Sequence, residues 1–283
     1  MAPDSRASTS EEPATAVLEF QGVRVRRGAT TLLGPLDWTV RAGERWVIVG
    51  PNGSGKTTLL QVASTYLWPS EGQVAVLGEW LGSTDARELR RRIGYASPAL
   101  AEALPPSLTA LEVVITARHA ALGPWWHEYG AGDRERASAL LERLGCGPLA
   151  SRVFGTLSSG ERQRVQIARA LMPGPAVLLL DEPAAALDLG AREALIERLE
   201  GLAGDLSLAA IVLVTHHVEE IPAPFTHALV LAAGQAVVGG PIETALSGEA
   251  LGRAFGLPLV LERRDGRLTA RRDGQGRAAS RPG

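Results

Sequence analysis

The run Gly50-Pro51-Asn52-Gly53-Ser54-Gly55-Lys56-Thr57 leaves this chain little freedom in how it can fold. It follows the apolar stretch WVIV and precedes TTLLQVASTYLW, whose apolar residues have helical spacing and stop near Pro69. The pattern therefore predicts a buried strand, a glycine-rich turn and a helix in direct succession. Gly53 and Gly55 permit backbone angles that turn successive N–H groups inward, which makes a nest for an anion. The helix that follows adds the positive end of its dipole. A lysine and a hydroxyl residue close the run, matching the G-x-x-x-x-G-K-[ST] pattern of a nucleotide phosphate site. On this reading Gly50 to Thr58 bind the phosphates, Lys56 reaches the β- and γ-phosphates, and the Thr57 hydroxyl ligates Mg²⁺. Of 29 basic residues Lys56 is the single lysine, the rest being arginine. A chain that avoids ammonium groups elsewhere has kept one here.

A second element, AVLLLDEP, is a continuous apolar run ending in Asp181 and Glu182. Such runs bounded by Gly and Pro are what a parallel sheet covered on both faces requires. A carboxylate at the end of a strand beside the phosphate turn can hold Mg²⁺ through water, so Asp181 is the second expected metal residue. Glu182 is then placed to act as general base toward an attacking water. IVLVTHH reads as another buried strand, with His216 at its end. The expected fold is α/β: a P-loop NTPase core with a mostly parallel sheet. An antiparallel β subdomain comes from Val17 onward, and a strandless helical insert spans about 99–156. QVAVLGEW reads as one strand, DARELRRRIG as a short helix, and Thr109 with Glu112 as a capping box. HALVLAAGQAVVGG and LPLVLERRDGRLTARR read as hairpins, the latter turning at Asp265-Gly266.

Composition narrows the function classes. A formal net charge of -2 gives no ground for expecting nucleic acid as a partner. One cysteine, Cys146, excludes an internal disulfide framework and fits a reducing compartment. No apolar run approaches the ~20 residues of a membrane span, and the first sixteen residues, polar and aperiodic, are expected to form a mobile arm rather than a signal peptide. The α/β core is expected over 17–261. Residues 262–283, with seven arginines and three acids, are expected to form a basic hairpin end and a solvated tail.

So far kinases, GTPases and many ATPases remain open. LSSGERQR, Leu157 to Arg164, separates them, because it resembles the LSGGQ signature of ATP-binding cassette (ABC) proteins and lies at that family's interval before Asp181. From the residues alone, Ser158 and Glu161 form a capping box at a helix start, and that helix end is also a second anion site. The resemblance implies that Ser158, Ser159, Gly160 and Glu161 serve the ATP held by a second subunit, in a head-to-tail pair. Ala186-Leu187-Asp188 resembles the D-loop at the dimer seam, and His216 matches the switch histidine that contacts the γ-phosphate. The family resemblance extends over Leu18 to Gly240. It implies an ATP-hydrolysing subunit with ATP and Mg²⁺. The subunit would pair with itself or another cassette and dock on integral membrane permease subunits at the cytoplasmic face. Trp125, Trp126 and Tyr129 are candidate contacts there. A soluble ABC ATPase, or a nucleotide-gated regulatory module with weak hydrolysis, is the alternative.

Two positions depart from the family pattern. After Ile93-Gly94-Tyr95-Ala96-Ser97, Pro98 stands where the Q-loop glutamine is expected, and no glutamine occurs between Gln73 and Gln163. Ser97 is the expected partial substitute. The aromatic residue that stacks on adenine is replaced by Arg27, whose guanidinium plane can also stack on a purine.

Overall fold

The computed structural model describes residues 14–123, 127–185 and 187–274. In chain order the strands are β1 (Ala16–Arg27), β2 (Thr30–Arg41), β3 (Arg45–Val49), β4 (Glu71–Val76), β5 (Glu79–Trp80), β6 (Ile93–Ala96), β7 (Val177–Asp181), β8 (Ala210–Thr215), β9 (His227–Ala232), β10 (Gln235–Pro241), β11 (Leu259–Arg264) and β12 (Arg267–Arg272). The helices are α1 (Lys56–Ala63), α2 (Ala86–Arg91), α3 (Pro98–Glu102), α4 (Ala110–Ile115), α5 (Ala131–Arg143), α6 (Ser159–Leu171), α7 (Leu189–Ala203), α8 (Ile242–Ala245) and α9 (Gly248–Phe255).

Strands β3, β7 and β8 are buried along their whole length, because apolar layers cover both faces of their sheet. The alternation along each strand shows it. Val47, Val49, Leu178, Leu180, Ile211 and Leu213 enter the core beneath α6 and α7. Trp46, Ile48, Val177, Leu179, Val212 and Val214 enter the opposite core, shared with α1 and the antiparallel sheet. A run apolar at every position is thus a two-faced strand. The large sheet has the order β10-β9-β3-β8-β7-β6, parallel from β9 to β6 with β10 antiparallel at its edge. A four-stranded antiparallel sheet, β2-β1-β4-β5, covers one side.

Between β6 and α6 the described residues form α3, α4, α5 and short 3₁₀ turns, with one isolated bridge, Thr109 to Val153. The Thr109–Glu112 capping box is formed at the start of α4. Arg169 of α6 ties this region to the core: its guanidinium donates to Val113 O at 2.7 Å, Thr116 Oγ1 at 2.6 Å and Ala121 O at 2.8 Å. Two acceptors at the C-terminal, electronegative end of α4 and a third beyond the 3₁₀ turn that follows keep a buried cation satisfied, although burial lowers its pKa to about 10.

Several expectations are corrected. Helix α1 ends at Ala63, short of Pro69, because Thr65 adopts a left-handed backbone, φ 62°. QVAVLGEW is a hairpin rather than one strand: Leu77 and Gly78, both at positive φ, turn β4 into β5. Helices α8 and α9 fill the stretch between the two expected hairpins, both of which form, α9 starting on the Ser247 cap and ending on Gly256 in the left-handed region. The Asp265-Gly266 turn forms as expected between β11 and β12. Residues 262–272 are therefore ordered, and Arg267 grips Glu193 at 3.0 Å and Glu219 O at 2.7 Å. The arm before residue 14, Trp125, Trp126, Ala186 and the tail after 274 lie outside the described residues.

Candidate nucleotide site

The phosphate turn sits where the strand-to-helix pattern requires. β3 delivers Gly50 at its end, Gly53 and Gly55 take positive φ (78° and 96°), and Gly55 is the N-cap of α1. No side chain caps that helix, so its first N–H groups face an open cleft of about 590 Å³. The lining is Asn52 to Thr58 together with Glu182, the segment Thr30 to Leu32, and the β9–β10 turn at Ala233 and Gly234. That turn is held against the phosphate loop, Gly234 N donating to Ser54 O at 3.2 Å and Gly34 N to Gly234 O at 2.6 Å. A Cβ on Gly55 would meet Leu32 O at 2.8 Å, so glycine is required there for space as well as angle.

Lys56 is 4% exposed. Its ammonium donates to Gly50 O at 2.8 Å and Pro51 O at 3.0 Å, and lies 3.5 Å from Glu182 Oε1. Burial lowers its pKa, while Glu182 and Asp181 act in the opposite direction. Ser54 Oγ is buried without a hydrogen-bond partner. A buried orphan hydroxyl, a cation held by carbonyls and an uncapped helix end together describe a site shaped for an anion.

On the other side of the turn, the Thr57 hydroxyl donates to Asp181 Oδ1 at 3.2 Å. Asp181 is 2% exposed. Burial raises its pKa to about 6, against the lowering effect of the Thr57 hydrogen bond. A hydroxyl and a carboxylate in contact form a hard oxygen pair of the kind Mg²⁺ takes alongside phosphate oxygens and water. Glu182 sits at φ 47°, an unfavourable angle for a residue with a side chain and a common sign of a functional turn. Its Oε2 is 3.3 Å from His216 Nδ1. The carboxylate is therefore bracketed by Lys56 and by His216, which the end of β8 supplies.

The signature turn is a separate structure. Ser158 caps α6, accepting from Glu161 N at 3.3 Å, and Glu161 Oε2 accepts from Ser158 N at 2.7 Å. Ser158 and Ser159 are exposed and Gly160 is buried. None of Leu157 to Glu161 lines the P-loop cleft. Asp188 caps α7, accepting from Ala191 N at 2.8 Å.

The profile of the ABC transporter family matches residues 33–185. A Bacillus subtilis (strain 168) ABC transporter ATP-binding protein, YlmA, is 39% identical over 244 residues, 86% of this chain and 92% of that one. The chain belongs to the ABC transporter ATP-binding proteins. This ABC protein is accordingly an ATP-binding and ATP-hydrolysing subunit that powers a transporter. The hemin import ATP-binding protein HmuV of Myxococcus xanthus is likewise 39% identical, over 85% of this chain and 90% of its own. Among solved structures, an ATP-binding cassette in its ADP conformation has a TM-score of 0.73 at 24% identity, covering 86% of this chain and 99% of that one, and shares the fold. A dimeric cassette in a post-hydrolysis state with ADP and Pi has a TM-score of 0.70 at 27% identity, covering 80% and 98%.

Three expectations about this ABC protein's side chains need adjusting. Arg27 is exposed at the end of β1 and lies outside the cleft lining, where Thr30, Thr31 and Leu32 stand instead. Ser97, the expected substitute for the glutamine, is buried and spent as the cap of α3, accepting from Leu100 N at 3.2 Å. Tyr129 packs back on the helical region, its ring 5.5 Å from that of His119 and against the large core. The β9–β10 turn was visible only as a turn. Nothing in its residues signals contact with a loop far earlier in the chain.

Proposed function

We propose that two copies of this chain close head to tail on two ATP molecules, the P-loop of one facing the Ser158–Glu161 turn of the other. The observation that carries this reading is the separation of the two anion-seeking helix ends: the signature turn lies outside the cleft that holds Lys56. A second molecule supplies the missing wall, and the dimeric cassettes among the structural neighbours support it. Thr57 and Asp181 would hold Mg²⁺, which offsets phosphate charge when bound. Glu182 takes the proton of the attacking water and His216 holds the γ-phosphate side of the site.

No helix among the described residues is long and apolar enough to cross a membrane. In the proposed assembly separate integral membrane permease subunits form the path, and this chain docks on them from the cytoplasmic face. A groove between Tyr66, Arg90 and Tyr95 on one side and Ala117 and Leu122 on the other supports such docking, as do the exposed rings of Tyr66 and Trp68 beside it. Two of its relatives are named as import proteins, for hemin and for phosphonates. We therefore propose uptake, with cargo chosen by the membrane subunits. Affinity purification of the full chain in detergent tests the assembly: recovery of a polytopic membrane protein is expected, and recovery with ribosomes or DNA instead would overturn it.

A further inference from the structure

A second cavity, about 340 Å³, lies between α6 and the turn after β7, with Gln163, Gln166, Glu182, Ala185, Pro98 and Phe154 in its wall. Two of these side chains carry an unusual burden. Gln166 is 7% exposed and its Oε1 has no hydrogen-bond partner, and Gln163 Nε2 is buried and equally unpartnered. Leaving a polar atom buried and unpaired costs about 1–3 kcal/mol, and an aliphatic side chain of similar length at 166 would avoid it. The fold does not require an amide there. The two orphan atoms are complementary, one an acceptor and one a donor, spaced one helical turn apart on the same face of α6. Both residues border a space large enough for several waters, and that space reaches Glu182.

We propose that this cavity is the water store for hydrolysis, in which Gln166 Oε1 and Gln163 Nε2 anchor a short water chain that hands a molecule to Glu182. This rests on Glu182 as the general base. In the step served, the water oxygen bonds to the γ-phosphorus, its proton passes to Glu182, and the bond to the ADP oxygen breaks with its electron pair leaving on ADP. The glutamines are positioning residues, acting through ordered water. Their role also accounts for the tolerance of Pro98: its ring sits in the same wall without a donor or acceptor, and the carboxamides come from α6 instead of from the start of α3.

The test uses the full-length chain and Gln166→Met, which keeps length and removes the amide. A fall in kcat of about tenfold is expected, with the ATP dissociation constant within about twofold and the thermal midpoint unchanged or raised. Adding Pro98→Gln to Gln166→Met should recover most of the lost kcat by returning a carboxamide to the cavity from α3. Unchanged kcat in Gln166→Met would overturn the proposal. So would a loss that accompanies a lower midpoint and is not rescued at position 98. Glu182→Gln, run alongside, is expected to be inert. If it turns over ATP at the wild-type rate, the base assignment fails, which is a different failure from that of the cavity.

Discussion

The molecule presents two glycine-containing helix N-termini to anions, and they are built oppositely. At α1 no side chain caps the helix, the neighbouring Ser54 hydroxyl is unpaired, and the only lysine is buried beside the open N–H groups. At α6 the same kind of helix end is already capped by its own residues, with the Glu161 carboxylate on the Ser158 N–H. The first end leaves its own donors open and is incomplete without a ligand. The second is self-sufficient and exposed, so a phosphate brought to it by another molecule competes with a carboxylate already in place. A binding site differs from a closing site in which one has spent its hydrogen bonds beforehand.

The largest break of this contrast is at Lys56. Lys56→Ala removes the charged donor to the phosphate tail and leaves Glu182 without its cation. Charge-assisted hydrogen bonds to phosphate contribute about 1.5–3 kcal/mol each, so ATP affinity should fall roughly a thousandfold in equilibrium titration. Retention of affinity within threefold would mean that the backbone nest alone carries binding. Next is Ser158→Arg, which leaves the P-loop untouched. ATP affinity should stay within about twofold, while ATP-dependent dimerisation on a Glu182→Gln background should weaken roughly a hundredfold. A misplaced charge in a closing interface costs several kcal/mol. Light scattering with and without ATP reads this, and normal dimerisation would refute closure across two chains.

Acidity separates the two ends in sign. Burial raises the Asp181 pKa from 3.8 to about 6, so the native state holds this proton more tightly than the unfolded chain does. Stability then falls as pH rises from about 4 to about 6, by about 3 kcal/mol from this group acting alone. Asp181→Asn should flatten that slope, raise the thermal midpoint of the nucleotide-free protein at pH 7, and abolish the Mg²⁺-dependent part of ATP binding. Glu161 behaves in reverse. The Ser158 N–H holds its carboxyl below the ordinary range, so its contribution is present above its unfolded pKa and is lost as pH falls through the lowered value. Thermal melts across pH 3 to 8 on wild type, Asp181→Asn and Glu161→Gln would resolve the two slopes.

How much was legible in the sequence follows from the range of each interaction. The strand–turn–helix of the phosphate loop, the capping boxes at Thr109 and Ser158 and the two-faced strands β7 and β8 are written in residues a few positions apart, and the structure has them. What escaped depends on distant segments meeting. The Ala233–Gly234 turn reaches the P-loop because β9 pairs with β3, which no local pattern states. Arg27 stands where the family pattern has its stacking aromatic, but the β1–β2 hairpin directs Thr30 to Leu32 into the cleft instead. Ser97 reads as a spare oxygen because its use as the cap of a five-residue helix is hidden when that helix is too short to show periodicity. Gln166 looked like one more residue of α6 until its burial against the Glu182 cavity was known.

The smallest effect bears most finely on the contrast. In Glu161→Gln the amide oxygen can still accept from Ser158 N, because glutamine serves in a capping box as glutamate does. The cap is therefore kept while the contribution of the charge is lost, and the thermal midpoint should fall by about 1–3 degrees at pH 7. What changes is the charge at the N-terminus of α6. A carboxylate there offsets the helix dipole and repels an incoming phosphate, effects of about 0.5–1 kcal/mol at an exposed site. ATP-dependent dimerisation should then strengthen about two- to fivefold, with the sensitivity to salt reduced, since one like-charge term has gone. If affinity for the partner instead drops, Glu161 makes a favourable contact across the seam through its charge, and the α6 end is a preformed half of the site rather than a self-capped one that must be displaced.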